Sequence, residues 1–566
     1  MLPPFRAMGL ALIVNVSTDV PRPVLVTNVR LSAATDAPSA SILVRDGRIV
    51  RVEESAIEAP PDARTIDGKG ALALPAFLDA YSFTGCTTPE PKAERDSPAK
   101  TSTDVLVDMR EANRKGIQPA FRAADVFDGG TSLEEWRKAG FGALLSAPSG
   151  QLLSGQSALV VTRAAAARDA IVRASVFDHA SFRSSGSGYP GTLMGSIAQL
   201  RQFFLDASRH GVLSSRRAAG KPGERVAFDA DLEAAIAILA DQRRVCAAVD
   251  EADDIERFAK LADEHGFALA IAGGREAWKR AKVLATRDTP VILVLPGGDE
   301  PEDPDAKDSK KKKEPSAEDA PWTYVEPLAV KREKRRLFDE EQNGARVLAE
   351  AGVRIAFGTG KDKPKDLLER VRKLIKAGLP REIALKALTD GAADVLGAAP
   401  GLGRLAVGSD ASFALWTKDP LVEKDAVVAW IFVDGRSHEF DVDEKKKGGD
   451  SDKPDDGVDA TGTWAITYEA PEVPSGELEI RMEKDGSVEG TLRGKSPDGA
   501  PVEAEMSGQV SGKKLKVSGT LQVGEFRAEL VLEGELDGDS WSGSLTGVMP
   551  EGVGFSAQRT PKEEVR

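Results

Sequence analysis

The chain has 566 residues, of which 76 are Lys or Arg and 90 are Asp or Glu, so its formal net charge at pH 7 is −14. This acidic balance argues against a nucleic-acid-binding protein, because no broad basic face would release counterions from a phosphate backbone. Four His and two Cys also exclude a disulfide framework and a Cys-rich zinc module.

The N-terminal residues 1–23 are predicted to be a leader or a signal segment. The apolar run Met8–Val16 has about the length of the hydrophobic region of a signal peptide and is too short to span a bilayer. No clear cleavage site follows it. Cytoplasmic and exported or periplasmic locations therefore both stay open, and no transmembrane segment is predicted.

The next part of the chain changes from strands to an alternation of strands and helices. Residues 24–31 and 41–52 predict strands, the second a hairpin that turns at Asp46-Gly47. After residue 71, short apolar strands alternate with amphipathic helices, which predicts a parallel sheet closed as a (β/α)8 barrel of the TIM type. The strands are predicted at 142–146, 244–249, 268–272, 290–295 and 354–357, and the helices at 232–241, 252–265, 276–286, 340–351 and 365–377.

Two charged segments interrupt this pattern, and a different one follows. Residues 299–321 are predicted to be a disordered charged loop, and residues 441–460 a linker between domains. Residues 461–566 alternate with period two between Asp-Gly turns, which predicts an antiparallel β-barrel or sandwich. Its Trp464 and Trp541 are predicted to fill the core of this domain, with the lining of a ligand pocket as the alternative.

Two ordered motifs, one at each end of the barrel pattern, resemble the signatures of the amidohydrolase superfamily, and the sequence is similar to its imidazolonepropionase-like members. The first motif is spread over residues 44–50, 65–71 and 74–80, and the closing motif over residues 388–397, 403–411 and 433–435. The resemblance implies a metal-dependent barrel over residues 74–402. It also implies a small composite β-sandwich built from residues 24–73 and 403–440.

The resemblance also implies a catalytic site, and the sequence departs from it. The family hydrolyses cyclic amides and related bonds with divalent metals held by a His-x-His pair after the first strand, a Lys or Glu, two later His and a last-strand Asp. Here Tyr81 and Phe83 stand at the His-x-His positions and Gly360 at the Asp position. Phe has no lone pair to donate, and Tyr is a poor ligand at neutral pH.

The remaining candidate ligands are predicted to have structural roles. His179 is predicted in a loop, His210 in a helix, His265 at a helix end and His438 in the closing β segment. Cys246 falls inside an apolar strand and is predicted to be buried, inert and unpaired with the other cysteine.

The sequence therefore predicts an amidohydrolase-like protein that is catalytically inactive, has no cofactor and keeps a binding or assembly role. It is expected to form a homo-oligomer and to bind a small molecule or a protein at a pocket over the strand ends. The candidate pocket residues, besides Tyr81 and Phe83, are Asp79, Gln151, Gln156, Ser157 and Thr359.

Two alternatives stay open. The first is an active hydrolase of C–N bonds in cyclic amides, either metal-free or with Zn, Mg or Mn bound by Asp79, Asp250 and Asp362. In the second, the terminal β domain binds an apolar or glycan ligand as a lipocalin does.

Overall fold

The computed structural model divides into two compact units, residues 1–440 and 441–566. It describes residues 22–34, 36–89, 114–128, 133–163, 166–183, 190–223, 226–240, 243–295, 297, 300–301, 303–305, 326–440, 442, 459–468, 475–483, 486–495, 501–523, 526–546 and 553–560. The predictions for the leader, for most of the 299–321 loop and for most of the 441–460 linker lie outside the described residues.

The first unit contains seventeen described strands and eleven described α-helices. The strands are β1 (Val24–Arg30), β2 (Ser39–Arg45), β3 (Arg48–Glu53), β4 (Arg64–Pro75), β5 (Phe77–Ser82), β6 (Phe141–Ser146), β7 (Leu153–Gln156), β8 (Ala158–Val161), β9 (Ile171–Arg173), β10 (Phe177–Ala180), β11 (Arg244–Val249), β12 (Leu269–Gly273), β13 (Val291–Val294), β14 (Ile355–Gly358), β15 (Phe413–Trp416), β16 (Val428–Val433) and β17 (Arg436–Glu439). The helices are α1 (Ala123–Val126), α2 (Glu134–Lys138), α3 (Ala167–Ala170), α4 (Leu193–Ala218), α5 (Ala230–Leu239), α6 (Ala252–His265), α7 (Ala281–Thr286), α8 (Leu328–Glu350), α9 (Pro364–Lys376), α10 (Arg381–Leu388) and α11 (Asp390–Val395).

The strands that flank the barrel in sequence join in one seven-stranded sheet of order β17-β16-β15-β4-β1-β2-β3. The two flanks meet where β4 pairs antiparallel with β15. The sheet folds back on itself, since the Ile49 backbone N–H donates to the Ser409 carbonyl at 3.0 Å. The predicted composite β-structure from both flanks is confirmed. Its strands form one continuous sheet that folds over on itself rather than two separate sheets. The predicted hairpin turn at Asp46-Gly47 is also confirmed, with φ of 51° and 74°.

The barrel consists of two sheets that together form a ring. Strands β10 to β14 run parallel, β5 is parallel to β6, and a bridge between Ser82 and Gly360 joins the first strand to the last. Strands β7 and β8 are separated by Ser157 alone and run antiparallel to β10 and β6. The predicted TIM-like barrel is confirmed, except that the position occupied by β7 and β8 together runs in the reverse direction. Only residues 147–152 separate β6 from β7, which is too short for the crossover that a parallel neighbour needs.

The helices cover the barrel with apolar stripes. In α9, the buried positions Leu367, Val371 and Leu374 repeat at helical spacing, as predicted. Helix α8 begins at residue 328, twelve residues before the predicted start at 340. Its first half carries few buried residues and contains ion pairs such as Arg335–Asp339 at 2.9 Å, so hydrophobic periodicity could not reveal it. Among the described residues, no helix is long and apolar enough to cross a membrane.

The second unit is a closed antiparallel barrel in which each strand pairs with the next and the last pairs with the first. Its strands are β18 (Gly462–Tyr468), β19 (Gly476–Met482), β20 (Ser487–Lys495), β21 (Pro501–Ser511), β22 (Lys514–Val523), β23 (Phe526–Asp537), β24 (Ser540–Thr546) and β25 (Val553–Arg559). Trp464 and Trp541 are fully buried in its core with ring centroids 6.2 Å apart, as predicted. Gly508 permits a close strand approach, because a Cβ there would lie 1.9 Å from the Lys516 carbonyl oxygen.

Candidate functional site

Asp79 joins the first and last strands of the barrel. Its carboxylate is fully buried, and Oδ1 accepts from the backbone N–H groups of Tyr81 at 3.2 Å and Thr359 at 3.0 Å. Oδ2 accepts from Thr359 Oγ1 at 2.6 Å and from Trp136 Nε1 at 3.1 Å. Burial raises the pKa of Asp79 to about 6, although the hydrogen bonds oppose this rise. Since four donors occupy the lone pairs of the carboxylate, Asp79 is a structural clamp without a free coordination site.

Aromatic rings and bare backbone stand where the resemblance would place metal ligands. The Tyr81 and Phe83 rings are in edge-to-face contact with centroids 5.3 Å apart. Gly360 has a φ of +61°, donates its N–H to the Tyr81 carbonyl at 2.8 Å and accepts from the Phe83 N–H at 2.9 Å. Gly358 leaves the space that Tyr81 needs, because a Cβ there would lie 2.7 Å from the Tyr81 Cβ.

The prediction that His179 lies in a loop is wrong. His179 is in β10, is 2% exposed, and its ring centroid lies 5.5 Å from that of Tyr81 and 6.2 Å from that of Phe177. Burial lowers its pKa to about 3, so the imidazole is neutral. The four-residue strand was too short to be recognised from its sequence before the Ser/Gly-rich segment that follows.

The other three histidines lie where the sequence predicted them. His210 is buried on α4, with Nε2 2.9 Å from Glu233 Oε1. His265 ends α6 before the left-handed Gly266, and His438 lies in β17.

The polar pocket candidates between β6 and β10 lie in the interior at the reversed strand. Gln151, Gln156 and Ser157 are all buried. Gln156 Nε2 donates to the Pro119 carbonyl at 3.0 Å, and Ser157 Oγ accepts from the Phe177 N–H at 3.2 Å. The structure thus brings Asp79 and Thr359 together at one seam of the barrel, and it places Gln156 and Ser157 at another. Gln151 bonds instead through its backbone to Ser154 and Ser181. Their part in ligand binding stays a prediction.

A cleft of about 960 Å³ opens at the carboxyl ends of β10, β11 and β12. Its lining includes Arg183, Ala248, Asp250, Arg257 and Arg275. One of these charges is neutralised locally, since Arg257 donates to Asp254 at 2.6 Å. Sequence reasoning missed the three arginines, although two of them follow barrel strands closely, as residues at the mouth of such a barrel do.

The described side chains of the barrel offer no set of ligands that fits a divalent metal. Over the described part of the chain, no group of three His, Cys, Asp or Glu side chains could hold a metal ion. The three carboxylates considered as oxygen ligands are engaged separately: Asp79 in its clamp, Asp362 with Arg370 at 2.6 Å, and Asp250 with the Arg275 N–H at 3.5 Å.

Comparison with known proteins supports the resemblance seen in the sequence. The model of the amidohydrolase family matches residues 307–438. An amidohydrolase from Thermotoga maritima MSB8 aligns with a TM-score of 0.56 and 22% identity over 74% of this chain and 100% of its own. The chain is thus similar to the amidohydrolase family over the matched residues, and it shares the fold of the solved amidohydrolase.

Other solved structures resemble this chain less. N-isopropylammelide isopropylaminohydrolase from Burkholderia multivorans has a TM-score of 0.38 and 16% identity over 74% of this chain and 98% of its own. A 5-methylcytosine deaminase from Klebsiella pneumoniae has a TM-score of 0.36 and 13% identity over 74% and 98%. None of the curated proteins matches the sequence.

Proposed function

We propose that this protein is a member of the amidohydrolase superfamily that binds a ligand at the mouth of its barrel and does not carry out metal-dependent hydrolysis. The observation that carries the proposal is the presence of Tyr81, Phe83 and Gly360 at positions where the resemblance implies metal ligands. Because three separate positions lack a good metal ligand, the proposal does not depend on the alignment of any single residue.

The chemistry of these side chains supports the proposal. Burial raises the pKa of the Tyr81 hydroxyl far above its ordinary value, so the phenol stays protonated and is a poor ligand. Phe83 has no donor atom, and Gly360 contributes only backbone. A divalent metal generates hydroxide at neutral pH by lowering the pKa of its bound water. Without the imidazole pair and the last-strand carboxylate that the resemblance implies, we expect the barrel not to hold such a metal.

The cleft at the strand ends is the binding site that we assign. Its volume of about 960 Å³ suits a small molecule. It has both cationic and anionic side chains, Arg183 and Arg275 among the first and Asp250 among the second. A small polar molecule fits this lining, and a protein ligand and a homo-oligomer stay predictions.

Metal analysis of the purified full-length protein tests the proposal. After expression with added Zn, Mg and Mn, we expect well below one equivalent of these ions and no change in thermal unfolding after chelation. The variant Tyr81→His/Phe83→His restores two imidazoles and is the matched comparison for any gain in metal. Stoichiometric divalent metal, together with turnover of a cyclic amide such as hydantoin that chelation abolishes, would overturn the proposal.

An active hydrolase of C–N bonds is the second candidate, because the Asp250 carboxylate follows β11 and lines the cleft. On this alternative, Asp250→Ala abolishes turnover of some cyclic amide while the folded structure persists. A wild-type protein without turnover of a panel of cyclic amides, or unchanged turnover in Asp250→Ala, removes its support.

A further inference from the structure

His179 and Cys246 lie side by side in the interior of the barrel. They are register partners on the neighbouring parallel strands β10 and β11. Side chains of such partners project from the same face of the sheet. His179 is 2% exposed and Cys246 is fully buried. An imidazole and a thiol are therefore adjacent in a region that is closed to bulk water.

The imidazole lacks the partners that a buried polar group normally has. Neither Nδ1 nor Nε2 of His179 has a hydrogen-bond partner among the described residues. A buried polar group without a partner costs about 1–3 kcal/mol, so such groups are rare in folded proteins and usually have a bound water, an ion or a function. The two ring nitrogens are thus available to a bound ligand on the face of the sheet that His179 shares with Cys246.

We propose that His179 and Cys246 bind one soft monovalent cation, with Cu(I) as the ion of this class. Thiolate and imidazole are ligands that Cu(I) accepts, and soft thiolate ligands favour it over hard cations. On binding, the Cys246 thiol releases its proton to solvent, an S–Cu bond forms, and a ring nitrogen of His179 donates its lone pair to the same ion.

The charge of the site selects a monovalent ion. The cation replaces the thiol proton one for one, so the thiolate, the neutral imidazole and Cu(I) together have no net charge. A divalent ion would leave a positive charge among apolar neighbours such as Phe177 and Ile292, and burying an uncompensated charge is costly. No third His, Cys, Asp or Glu in the described residues completes a site with this pair.

The mouth of the barrel provides a route to the pair. Ala248 lies two residues beyond Cys246 on the same face of β11, and it lines the cleft. Only a small side chain on this strand therefore separates Cys246 from the cleft. The inference goes beyond the proposed function and uses different residues, so either can fail while the other stands.

Anaerobic Cu(I) titration of the full-length protein against the chromophoric chelator bicinchoninate tests the proposal. We expect the wild-type protein to withdraw one equivalent of Cu(I). Cys246→Ala and His179→Leu are expected to lose this equivalent. His179→Met, which supplies a thioether, and Cys86→Ala, which removes the other cysteine, are expected to retain it. Circular dichroism of each variant checks that it folds.

X-ray absorption of the Cu(I)-loaded wild-type protein gives a readout that needs no variant. We expect one sulfur and one nitrogen scatterer in the first shell. No withdrawal of Cu(I) by the wild-type protein, retention in Cys246→Ala, loss in Cys86→Ala, or a first shell without sulfur would each overturn the proposal.

Discussion

Thr359 donates two hydrogen bonds to the buried carboxylate of Asp79, from Oγ1 at 2.6 Å and from the backbone N–H at 3.0 Å. Asp79 lies in β5, and Thr359 directly follows β14. The two bonds thus connect the first strand of the barrel with the last, where the ring closes. Asp79 thus contributes to the closure of the barrel.

Thr359→Val is expected to destabilise the protein by about 2 kcal/mol, because it removes a hydrogen bond to a buried charged group without changing the shape of the side chain. Urea unfolding of the full-length protein measures the loss. Thr286→Val is the matched control: its exposed hydroxyl bonds the Lys282 carbonyl at 2.9 Å, and its removal is expected to cost less than about 0.5 kcal/mol. Equal losses in the two variants would contradict the clamp.

His179 is expected to make the protein less stable in acid. Its pKa is about 3 in the folded protein and 6.5 as a model value, so as pH falls the unfolded chain binds the proton first. Between about pH 7.5 and about pH 5, the wild-type protein should lose about 2 kcal/mol more unfolding free energy than His179→Met.

The comparison with His179→Met separates this loss of stability in acid from pH-dependent contributions of the opposite sign. Burial raises the pKa values of Asp79 and Asp178 to about 6, so these groups favour folding at low pH, and their contribution is lost as pH rises from about 4 to about 6. Both carboxylates are present in the two proteins and cancel in the difference. Parallel pH profiles for the wild-type protein and His179→Met would show that the imidazole is not buried as described.

Arg243 is expected to be essential for the stability of the barrel wall. It donates to the buried carboxylate of Asp178 at 2.7 Å, and Asp178 is 1% exposed. Arg243→Leu leaves this carboxylate without its cation and should cost about 3–5 kcal/mol. In the control Arg122→Leu, the lost ion pair with Asp125 is exposed, and we expect a cost below about 1 kcal/mol. Chemical denaturation measures the free energy of unfolding of both variants. Similar losses in the two would contradict the essential role of Arg243.

Substitution of the two buried tryptophans of the second unit by Phe is expected to destabilise the protein to different extents. Trp464 Nε1 donates to the Ala460 carbonyl at 2.9 Å, whereas Trp541 Nε1 has no hydrogen-bond partner among the described residues. Both substitutions leave a similar cavity, but only Trp464→Phe also removes a hydrogen bond. Scanning calorimetry of the full-length protein should show Trp464→Phe less stable than Trp541→Phe by about 1 kcal/mol. A larger loss in Trp541→Phe would contradict the assigned contacts.

Local patterns predicted those elements whose apolar residues repeat at regular spacing. The strand Arg244–Val249 and the helix Ala252–His265 were predicted with the bounds that the structure has, because each buries a continuous run or stripe. The start of α8 was predicted too late, because charged pairs rather than burial support its first half. The reversed strand was not predicted, since its direction depends on the length of a connection rather than on periodicity.

The sequence alone indicated a barrel of the TIM type, and it showed the residue types Tyr81, Phe83 and Gly360 at the strand ends where the resemblance implies metal ligands. These properties lie in residue types and their order, which the sequence states directly. Only the tertiary structure decided what the replacements and the remaining polar groups do. Four donors from three residues, Tyr81, Trp136 and Thr359, saturate Asp79. Strand β10 places His179 beside Cys246, 67 residues further along the chain. Hydrogen bonding and burial depend on contacts between distant segments, and the register between strands is what brings such segments together.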